Sequence, residues 1–527
     1  MASNIGITAQ EILEKEESSF GHTAIPNTRL VKKLILSTEK SENFLRNELA
    51  NSEVISSRTN DQGLILNSTL KASTLERQIA EQFSRLIKTF PKNTTNKTLT
   101  KADMRLGRSV TPSDEQISSV NTVVANGVSI ITGGPGTGKT TMVLGLVRAL
   151  KGLGLSITLC APTGKAAKRM GEATGLQKFN PSTVHRYLQT VGTGSAKKLD
   201  VMIVDEASML DNGLLHNLLS TIPDGARLVL IGDKDQLPPV AAGQPFKDII
   251  QATEAHEKKS SGNIRLKPED GVSGIVAAAY DVITGNEPDV GLTLDKHNFE
   301  FVDCPKEDIG TEVLNYYFEK IPAVLGKPFS EVQDDIQILS PQKKGAAGIT
   351  NLNIEIQKRL TAKGAPIFEG KGPTKLYKKD RIMQTSNDYS IEVMNGEIGS
   401  VISKNETGLS VIMDGKNKTY DNDQAENLEL AYAISIHKSQ GSEYAAVIIP
   451  ITSEHTFMLT RSLIYTAITR GKSKVCLIGE RDTLNKTLKN SFKGSRYTGL
   501  NIELNHLGLV DQIAVSRLTE VYRQKKK

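Results

Sequence analysis

The chain has 527 residues, of which 38% are apolar and 24% are charged, and its net charge is +6. This length allows several domains, and the interspersed charges argue against a chain that is disordered throughout. The mildly basic balance is by itself only a weak indication of an anionic partner.

Cysteine usage and the start of the chain bear on the compartment. Cys160, Cys304 and Cys476 form no CxxC pair, which argues against a zinc site or a disulfide framework and favours a reducing compartment. No apolar run approaches the length of a membrane span, and the acidic start lacks an apolar signal core. We therefore expect a cytoplasmic protein with no membrane partner.

The first 90 residues are predicted to be mostly helical, with interruptions at "GHTAIP" and "NDQGLIL". The residues that follow are polar and show little pattern, which is typical of a linker. We assign 1–90 to an N-terminal helical region and 91–110 to a linker.

Short β-branched runs then alternate with helical stretches, which predicts an α/β fold with parallel sheets covered on both faces. The first set is "VSIITG", "SITLCAPT", "DVMIVDEA" and "ARLVLIGD", and it defines a domain at 111–262. The second set is "DIQILSP", "LELAYAISIH", "YAAVIIP" and "KVCLIGE", and it defines a second domain in two parts, 263–365 and 428–490.

A different pattern separates the two parts of the second domain. "DRIMQT", "GEIGSVI" and "LSVIMDG" alternate apolar and polar residues, and Asn395-Gly396 is typical of a hairpin turn. We predict a small antiparallel β insertion at 366–427, and we treat residues 491–527 as a C-terminal tail.

A glycine-rich loop lies between the first strand of the first domain and the next helix. The stretch "GGPGTGKTT" matches G-x-x-x-x-G-K-[ST], in which backbone N–H groups at a helix N-terminus face phosphate oxygens. Lys139 is expected to reach the β- and γ-phosphates of ATP, and the Thr140 hydroxyl is expected to bind Mg²⁺. The expected ATP-binding residues of this loop are Gly133, Gly134, Pro135, Gly136, Thr137, Gly138, Lys139, Thr140 and Thr141.

Polar side chains follow the next strands of the first domain. Asp205 and Glu206 end the run "VMIVDEAS", where Asp205 suits a magnesium-binding role and Glu206 suits the base that orients the attacking water. Gln236 in "IGDKDQLPPV" is placed to sense the γ-phosphate, although a plain turn would give the same pattern.

The second domain contributes an arginine. "YTAITRGKSKV" places Arg470 at the end of a helical stretch, and an arginine from a second domain can neutralise charge as the γ-phosphoryl group leaves. This combination favours a motor over a small-molecule kinase.

Taken in order, these motifs resemble those of the RecD-like DNA helicases, in the 5′→3′ branch of helicase superfamily 1. The resemblance covers nearly the whole chain and includes "TPSDEQISSV", "APTGKAAKRM", "TVHRYL" and "AISIHKSQGSEYAAVIIP". It implies two RecA-like motor domains, an SH3-like module in the β insertion, and ATP-dependent 5′→3′ movement on single-stranded DNA. It also implies 5′-tailed duplex as a substrate, a role in DNA repair, recombination or replication, accessory proteins as partners, and a monomeric chain.

The resemblance also assigns single residues. Gln116 would contact the adenine base, and Gln440, Gly441 and Glu443 would lie near the nucleotide. The residues that would contact the DNA strand are Thr163, Lys165, His185, His437 and Ser439.

Two departures from the family leave alternatives open. The family's "FRQ"-like arginine after "DQLPP" is absent, and Arg265 or Lys267 is the candidate replacement. The segment "QTVGTGSAKK" at 189–198 is short for the strand-separating hairpin that the family places there.

The leading expectation is a DNA helicase. The alternatives are a single-strand translocase or remodelling ATPase with little unwinding, and a non-catalytic nucleic-acid-binding subunit. RNA stays open as the nucleic acid, because no residue is evidently suited to a 2′-OH.

Overall fold

The structure is a computed structural model that describes residues 4–91, 98–104, 111–175, 181–194, 198–260, 274–289, 292–361, 364–370, 375–406, 408–490 and 494–519. Within these ranges, residues 4–260 and 495–519 form one compact unit, and residues 274–494 form a second. Each unit contains its own parallel sheet, which confirms the predicted α/β fold class. No helix in the described ranges is both long enough and apolar enough to cross a membrane.

The described part of the N-terminal region combines helices with a small antiparallel sheet. Its elements are α1 (Asn4–Phe20), β1 (Ile25–Pro26), α2 (Asn27–Thr38), α3 (Glu42–Ala50), β2 (Ile55–Thr59), β3 (Ile65–Thr69) and α4 (Leu70–Thr89). The strands pair in the order β1-β3-β2. The prediction of a mostly helical region missed this sheet, because "NDQGLIL" is the turn and the start of the second strand of a hairpin.

The first α/β domain alternates strands and helices as predicted. Its elements are α5 (Lys101–Met104), α6 (Asp114–Ala125), β4 (Val128–Gly133), α7 (Lys139–Gly152), β5 (Ile157–Ala161), α8 (Gly164–Thr174), β6 (Ser182–Thr183), α9 (Val184–Gly192), β7 (Val201–Val204), α10 (Asn212–Leu219), β8 (Arg227–Gly232) and α11 (Pro245–Ser260). The strands pair in parallel. Successive residues such as Ile130 and Ile131 belong to different apolar cores, because adjacent side chains point to opposite faces of the sheet.

The second unit begins with a similar alternation. Its first elements are α12 (Gly274–Thr284), β9 (Phe299–Asp303), α13 (Ile309–Asn315), α14 (Ile321–Leu325), α15 (Phe329–Val332), β10 (Ile336–Ser340) and α16 (Ile349–Leu360).

The predicted antiparallel insertion follows. Its elements are β11 (Phe368–Glu369), β12 (Lys375–Leu376), β13 (Arg381–Gln384), β14 (Ile398–Asn405), β15 (Gly408–Met413), β16 (Lys416–Tyr420), α17 (Asn422–Ala425) and β17 (Leu428–Leu430). Five of the described strands form one sheet in the order β16-β15-β14-β13-β17. The predicted turn at Asn395-Gly396 is present, because the Glu397 N–H donates to the Met394 carbonyl oxygen at 3.1 Å, and it lies in the long connection between the antiparallel strands β13 and β14. The tight turn is Asp414-Gly415, whose φ values of 45° and 75° suit a type I′ hairpin.

The chain then returns to the parallel sheet with β18 (Ala433–Ser435), β19 (Tyr444–Ile451), α18 (Arg461–Ile468), β20 (Gly471–Gly479) and α19 (Arg481–Lys489). The described strands of this sheet are ordered β18-β10-β19-β20-β9. The run "LELAYAISIH" was predicted as one strand, but it forms β17 in the insertion and β18 in the parallel sheet. Gln337 fixes the two residues between β17 and β18, because its Nε2 donates hydrogen bonds to the carbonyl oxygens of Ala431 at 3.1 Å and Tyr432 at 3.0 Å.

The last described residues do not form the predicted tail. They contain α20 (Leu500–His506) and β21 (Ala514–Leu518), and β21 pairs in parallel with β4 in the first unit. The sheet of the first unit therefore has the order β21-β4-β8-β7-β5-β6 among the described strands. The short, partly polar run "AVSRL" is typical of an edge strand, and pattern alone did not reveal it.

Candidate nucleotide site and nucleic-acid surface

The predicted functional residues of the first unit follow parallel strands, so they lie along one edge of its sheet. The glycine-rich loop follows β4, Gln236 follows the neighbouring strand β8, and Asp205 and Glu206 follow β7. Thr163 and His185 follow β5 and β6, farther along the same edge. Open α/β sheets bind their ligands at this carboxyl edge.

The glycine-rich loop has a backbone that only glycines adopt readily. Gly136 and Gly138 have φ values of 75° and 77°. A Cβ added to Gly133 would lie 2.6 Å from Thr137 Oγ1 and 3.0 Å from the carbonyl oxygen of Leu518. Strand β21 thus packs against the start of the loop, a contact that the sequence analysis missed.

Lys139 lies over this loop at the start of α7. Its Nζ donates hydrogen bonds to the carbonyl oxygens of Gly133 at 2.6 Å and Gly134 at 2.9 Å. The ammonium group, the helix N-terminus and the inward-turned loop together make a site for a polyphosphate.

The acidic pair after β7 is strained and partly unsatisfied. Glu206 has a φ of 53°, and its N–H donates to Asp205 Oδ1 at 2.9 Å. Burial and the neighbouring Glu206 raise the pKa of Asp205. Glu206 Oε2 is buried and has no hydrogen-bond partner among the described residues. Backbone strain and an unsatisfied buried acceptor at one residue are typical of a functional position.

Gln236 presents a second unsatisfied acceptor on the neighbouring strand end. The residue is 7% exposed, and its Oε1 has no hydrogen-bond partner in the described part of the chain. Because β7 and β8 are adjacent, Glu206 and Gln236 offer two acceptor oxygens at the same edge. Two acceptors suit the two protons of an attacking water molecule.

Gln116 has a structural role in the start of α6. Its Oε1 accepts the Ser113 N–H at 3.1 Å, and Ser113 Oγ accepts the Gln116 N–H at 3.1 Å. This reciprocal pair is a capping box, which fixes the first turn of the helix. The helix start therefore accounts for a glutamine here, and its contact with adenine stays a prediction.

Two helix N-termini lie side by side where β5 and β6 end. Thr163 Oγ1 accepts the Ala166 N–H at 3.2 Å, and Thr183 Oγ1 accepts the Arg186 N–H at 3.1 Å. Lys165 is partly exposed and His185 is exposed beside these caps. This surface suits the phosphates of a nucleic-acid strand.

The loop "HKSQGSE" of the second unit begins with a 3₁₀ turn at His437–Ser439. Ser439 is fully buried, and its Oγ donates to the carbonyl oxygen of Ile436 at 2.7 Å. The hydroxyl of Ser439 therefore shapes the turn, and its predicted DNA contact stays a prediction. His437 is partly exposed, and burial lowers the pKa of its imidazole, so the ring is neutral at pH 7.

Arg470 packs against the second half of this loop. It is 4% exposed, and its guanidinium donates to the carbonyl oxygens of Thr466 at 3.1 Å and Ser442 at 3.3 Å, and to Thr469 Oγ1 at 3.1 Å. These contacts hold the guanidinium in one orientation.

Two side chains of the loop, Gln440 and Ser442, each carry a polar atom that is not satisfied by the described residues. Gln440 Nε2 and Ser442 Oγ are buried without hydrogen-bond partners among the described residues. Glu443 Oε2 lies 3.6 Å from Lys472 Nζ. The second half of the loop thus presents a donor and a hydroxyl beside Arg470, and both are available to a ligand.

Two expectations depend on segments that the structure describes only in part or not at all. Arg265 and Lys267 lie outside the described residues. In the segment at 189–198, the residues up to Gly192 complete α9, and a turn follows at Thr193 and Gly194. These residues therefore form a helix end rather than the arm of a hairpin, and residues 195–197 lie outside the described ranges.

Comparison with known proteins places these features in a family. Family models match an AAA domain at residues 111–285 and a UvrD-like helicase C-terminal domain at residues 430–478. The chain is 35% identical over 370 residues to the ATP-dependent RecD2 DNA helicase of Deinococcus radiodurans, covering 69% of this chain and 48% of that protein. It is 30% identical over 433 residues to the RecBCD enzyme subunit RecD of Mycolicibacterium smegmatis, covering 75% of this chain and 76% of that protein. The chain thus spans about half the length of the first relative and about three quarters of the second.

Among solved structures, the Bacteroides Pif1 helicase in complex with ADP-AlF3 and ssDNA matches 69% of this chain and 92% of its own. Its TM-score is 0.42 and its sequence identity is 19%, a likeness too low to support an inference. The identity to RecD over three quarters of its length is decisive, and the order of the motifs agrees with it. The chain is a member of the RecD-like family of superfamily 1 helicases.

Proposed function

We propose that the chain is an ATP-driven DNA helicase that moves 5′→3′ on single-stranded DNA. The nucleotide half of this proposal rests on two buried acceptors that have no hydrogen-bond partner in the described part of the chain, Glu206 Oε2 and Gln236 Oε1. Both lie at the sheet edge that also holds the phosphate loop. A bound nucleotide with its attacking water supplies hydrogen-bond donors for both oxygens.

The residues at this edge have separate roles in ATP hydrolysis. The loop backbone and Lys139 bind the β- and γ-phosphates, and Thr140 and Asp205 would hold Mg²⁺, which neutralises phosphate charge when it is bound. Glu206 accepts a proton from the attacking water, and Gln236 orients that water. Arg470 of the second unit stabilises the charge of the transition state.

The nucleic-acid half of the proposal rests on the family and on the charged surface at β5 and β6. The proposed strand contacts are Thr163, Lys165, His185, His437 and Ser439. DNA as the substrate is supported by the RecD2 relative, which is named as a DNA helicase. The 5′→3′ direction is proposed from the resemblance of the motifs to the 5′→3′ branch of superfamily 1. One chain carries both motor sheets, which supports action as a monomer, and accessory proteins are proposed because one relative is an enzyme subunit.

A specific observation favours a second candidate, a translocase with little unwinding of its own. Opening each base-pair step costs about 1.4 kcal/mol of stacking, so a rigid wedge is needed at the fork. The described part of the segment at 189–198 ends a helix and does not form a hairpin arm. Single-turnover unwinding of 5′-tailed duplexes of increasing length distinguishes the two, because the translocase alone fails as the duplex lengthens.

The proposal is tested by ATP turnover with and without single-stranded DNA, followed by unwinding of 5′- and 3′-tailed duplexes. Stimulation by DNA and a requirement for the 5′ tail would support it, and single-stranded RNA of equal length tests the choice of nucleic acid. Equal turnover with and without any nucleic acid would reject the motor.

A further inference from the structure

The loop that follows β8 is held from behind by Arg496. Its Nη1 donates hydrogen bonds to the carbonyl oxygens of Gly243 at 2.7 Å and Ala241 at 2.5 Å, and its Nη2 donates to that of Pro239 at 2.5 Å. We name residues 233–243, which include Gln236, the sensor loop. A single side chain therefore holds three carbonyls in the second half of the sensor loop.

Backbone hydrogen bonds also support the second half of the sensor loop, because the Asn212 N–H donates to the Ala242 carbonyl oxygen at 3.2 Å and the Gly243 N–H donates to that of Gly21 at 3.0 Å. The segment between Leu237 and Ala241 has less support. Pro238 and Pro239 have no backbone N–H to donate. Val240 is 87% exposed, so apolar packing does not fix the tip of the loop. An arginine suits this place, because its rigid planar fork can donate to several carbonyls at once, whereas a lysine offers a single flexible ammonium.

Arg496 is itself held in place by the N-terminal region. Gly21 lies so close that an added Cβ would be 2.3 Å from the guanidinium carbon. The Gly21 carbonyl oxygen accepts the Gly243 N–H at 3.0 Å, and the Tyr497 N–H donates to His22 Nδ1 at 3.0 Å. Burial lowers the pKa of Arg496 only to about 10, so it is charged at pH 7.

We propose that Arg496 is a positioning residue for ATP hydrolysis, which fixes the second half of the sensor loop and thereby sets the place of Gln236 Oε1. This inference rests on the proposed function, in which Gln236 orients the attacking water. The chain returns from the second unit to the first between residues 494 and 495, so Arg496 stands just past that connection. The hydrogen bonds of Arg496 therefore connect the sensor loop to the stretch of chain that enters the first unit at residue 495.

The structure offers a matched control in Arg85. Its Nη2 donates to the carbonyl oxygens of Leu219 at 3.0 Å and Ile222 at 2.9 Å, and its Nη1 donates to Asp224 Oδ1 at 2.5 Å. Arg85 thus holds a comparable loop before β8, at the opposite end of that strand from the sensor loop. Arg85→Lys and Arg496→Lys remove similar sets of contacts, and only the second should affect Gln236.

The test compares ATP turnover of the full chain with these two variants. Arg496→Lys should lower kcat by about 10- to 100-fold, as a misplacement of about 1 Å would, with KM for ATP within about twofold. Arg85→Lys should leave both parameters within about twofold. In a Gln236→Ala background, Arg496→Lys should have no further effect, because both changes act through one group.

A second measurement does not depend on hydrolysis. Hydrogen exchange of the amides at 233–243, without nucleotide, should become faster in Arg496→Lys and stay unchanged in Arg85→Lys. If Arg496→Lys does not fold, Gly21→Ala tests the same contact, because its Cβ displaces the guanidinium. Equal kcat values for the two lysine variants, full additivity with Gln236→Ala, or unchanged exchange at 233–243 would each overturn the inference. A wild-type chain without ATPase activity would reject the proposed function, while the exchange comparison would still show whether Arg496 fixes the sensor loop.

Discussion

Arg470 donates a hydrogen bond to the backbone oxygen of Ser442 at 3.3 Å, and the Tyr444 N–H donates to the backbone oxygen of Arg470 at 2.9 Å. The arginine proposed to act on ATP is thus tied to the loop that begins at His437. A shift of this loop on nucleic-acid binding would move the guanidinium with it. This relationship is a physical route for coupling the two ligands.

Arg470→Ala should cut ATP turnover by about 10³-fold and leave ATP affinity within a few-fold, because an arginine finger acts mainly in the transition state. Steady-state turnover and equilibrium nucleotide binding measure the two effects separately. Lys472→Ala is the control, since Lys472 lies nearby but its side chain is 52% exposed. Similar losses of ATP turnover in both variants would show that Arg470 has no specific role in the transition state.

His437→Ala should lower the stimulation of turnover by single-stranded DNA by about fivefold or more, with a smaller change in basal turnover. The reason is that His437 is partly exposed at the start of the loop that also holds Arg470. His506→Ala, at an exposed histidine of α20, is the matched control. Equal reductions of basal and stimulated turnover by His437→Ala would contradict the coupling role.

Glu206→Gln should keep nucleotide binding and lower hydrolysis by about 10²- to 10⁴-fold, because the amide cannot accept a proton from water. Rapid-quench measurement of a single turnover reports the chemical step directly. Glu81→Gln, at an exposed glutamate of α4, controls for the change in charge. Hydrolysis by Glu206→Gln at the wild-type rate would show that the base lies elsewhere.

Asp248 predicts a pH dependence of stability. It is 3% exposed, and burial raises the pKa of its carboxyl from 3.8 to about 7. Below about pH 4 the group is neutral in both the folded and the unfolded chain, so stability is retained there and lost as pH rises towards 7. Asp248→Asn removes the buried charge and should stabilise the first unit by about 2–4 kcal/mol at pH 8, and by about 1 kcal/mol or less at pH 4.5. Thermal unfolding at the two pH values measures this difference, and an equal shift at both would contradict it.

The sequence was sufficient to predict those elements whose structure depends on residues close together in the chain. The parallel strands of the first unit follow from β-branched runs between helices, and the phosphate loop follows from its glycines and Lys139. The capping role of Gln116 could also have been predicted from the sequence, since Ser113 precedes it at the spacing of a capping box. Strand β21 and the Arg496 contact were not predictable, because each depends on segments that are far apart in sequence. The division of "LELAYAISIH" into two strands likewise depends on the tertiary contacts of Gln337.

In the proposed function, ATP hydrolysis at the Lys139 and Glu206 edge drives one-way movement on single-stranded DNA. The most direct test is ATP-driven displacement of streptavidin from biotin placed at either the 3′ or the 5′ end of a single strand. Displacement from the 3′ end alone, abolished by Glu206→Gln, is the predicted result. Displacement from the 5′ end alone, from neither end, or at the same rate with Glu206→Gln would show that Glu206-dependent hydrolysis does not drive 5′→3′ movement.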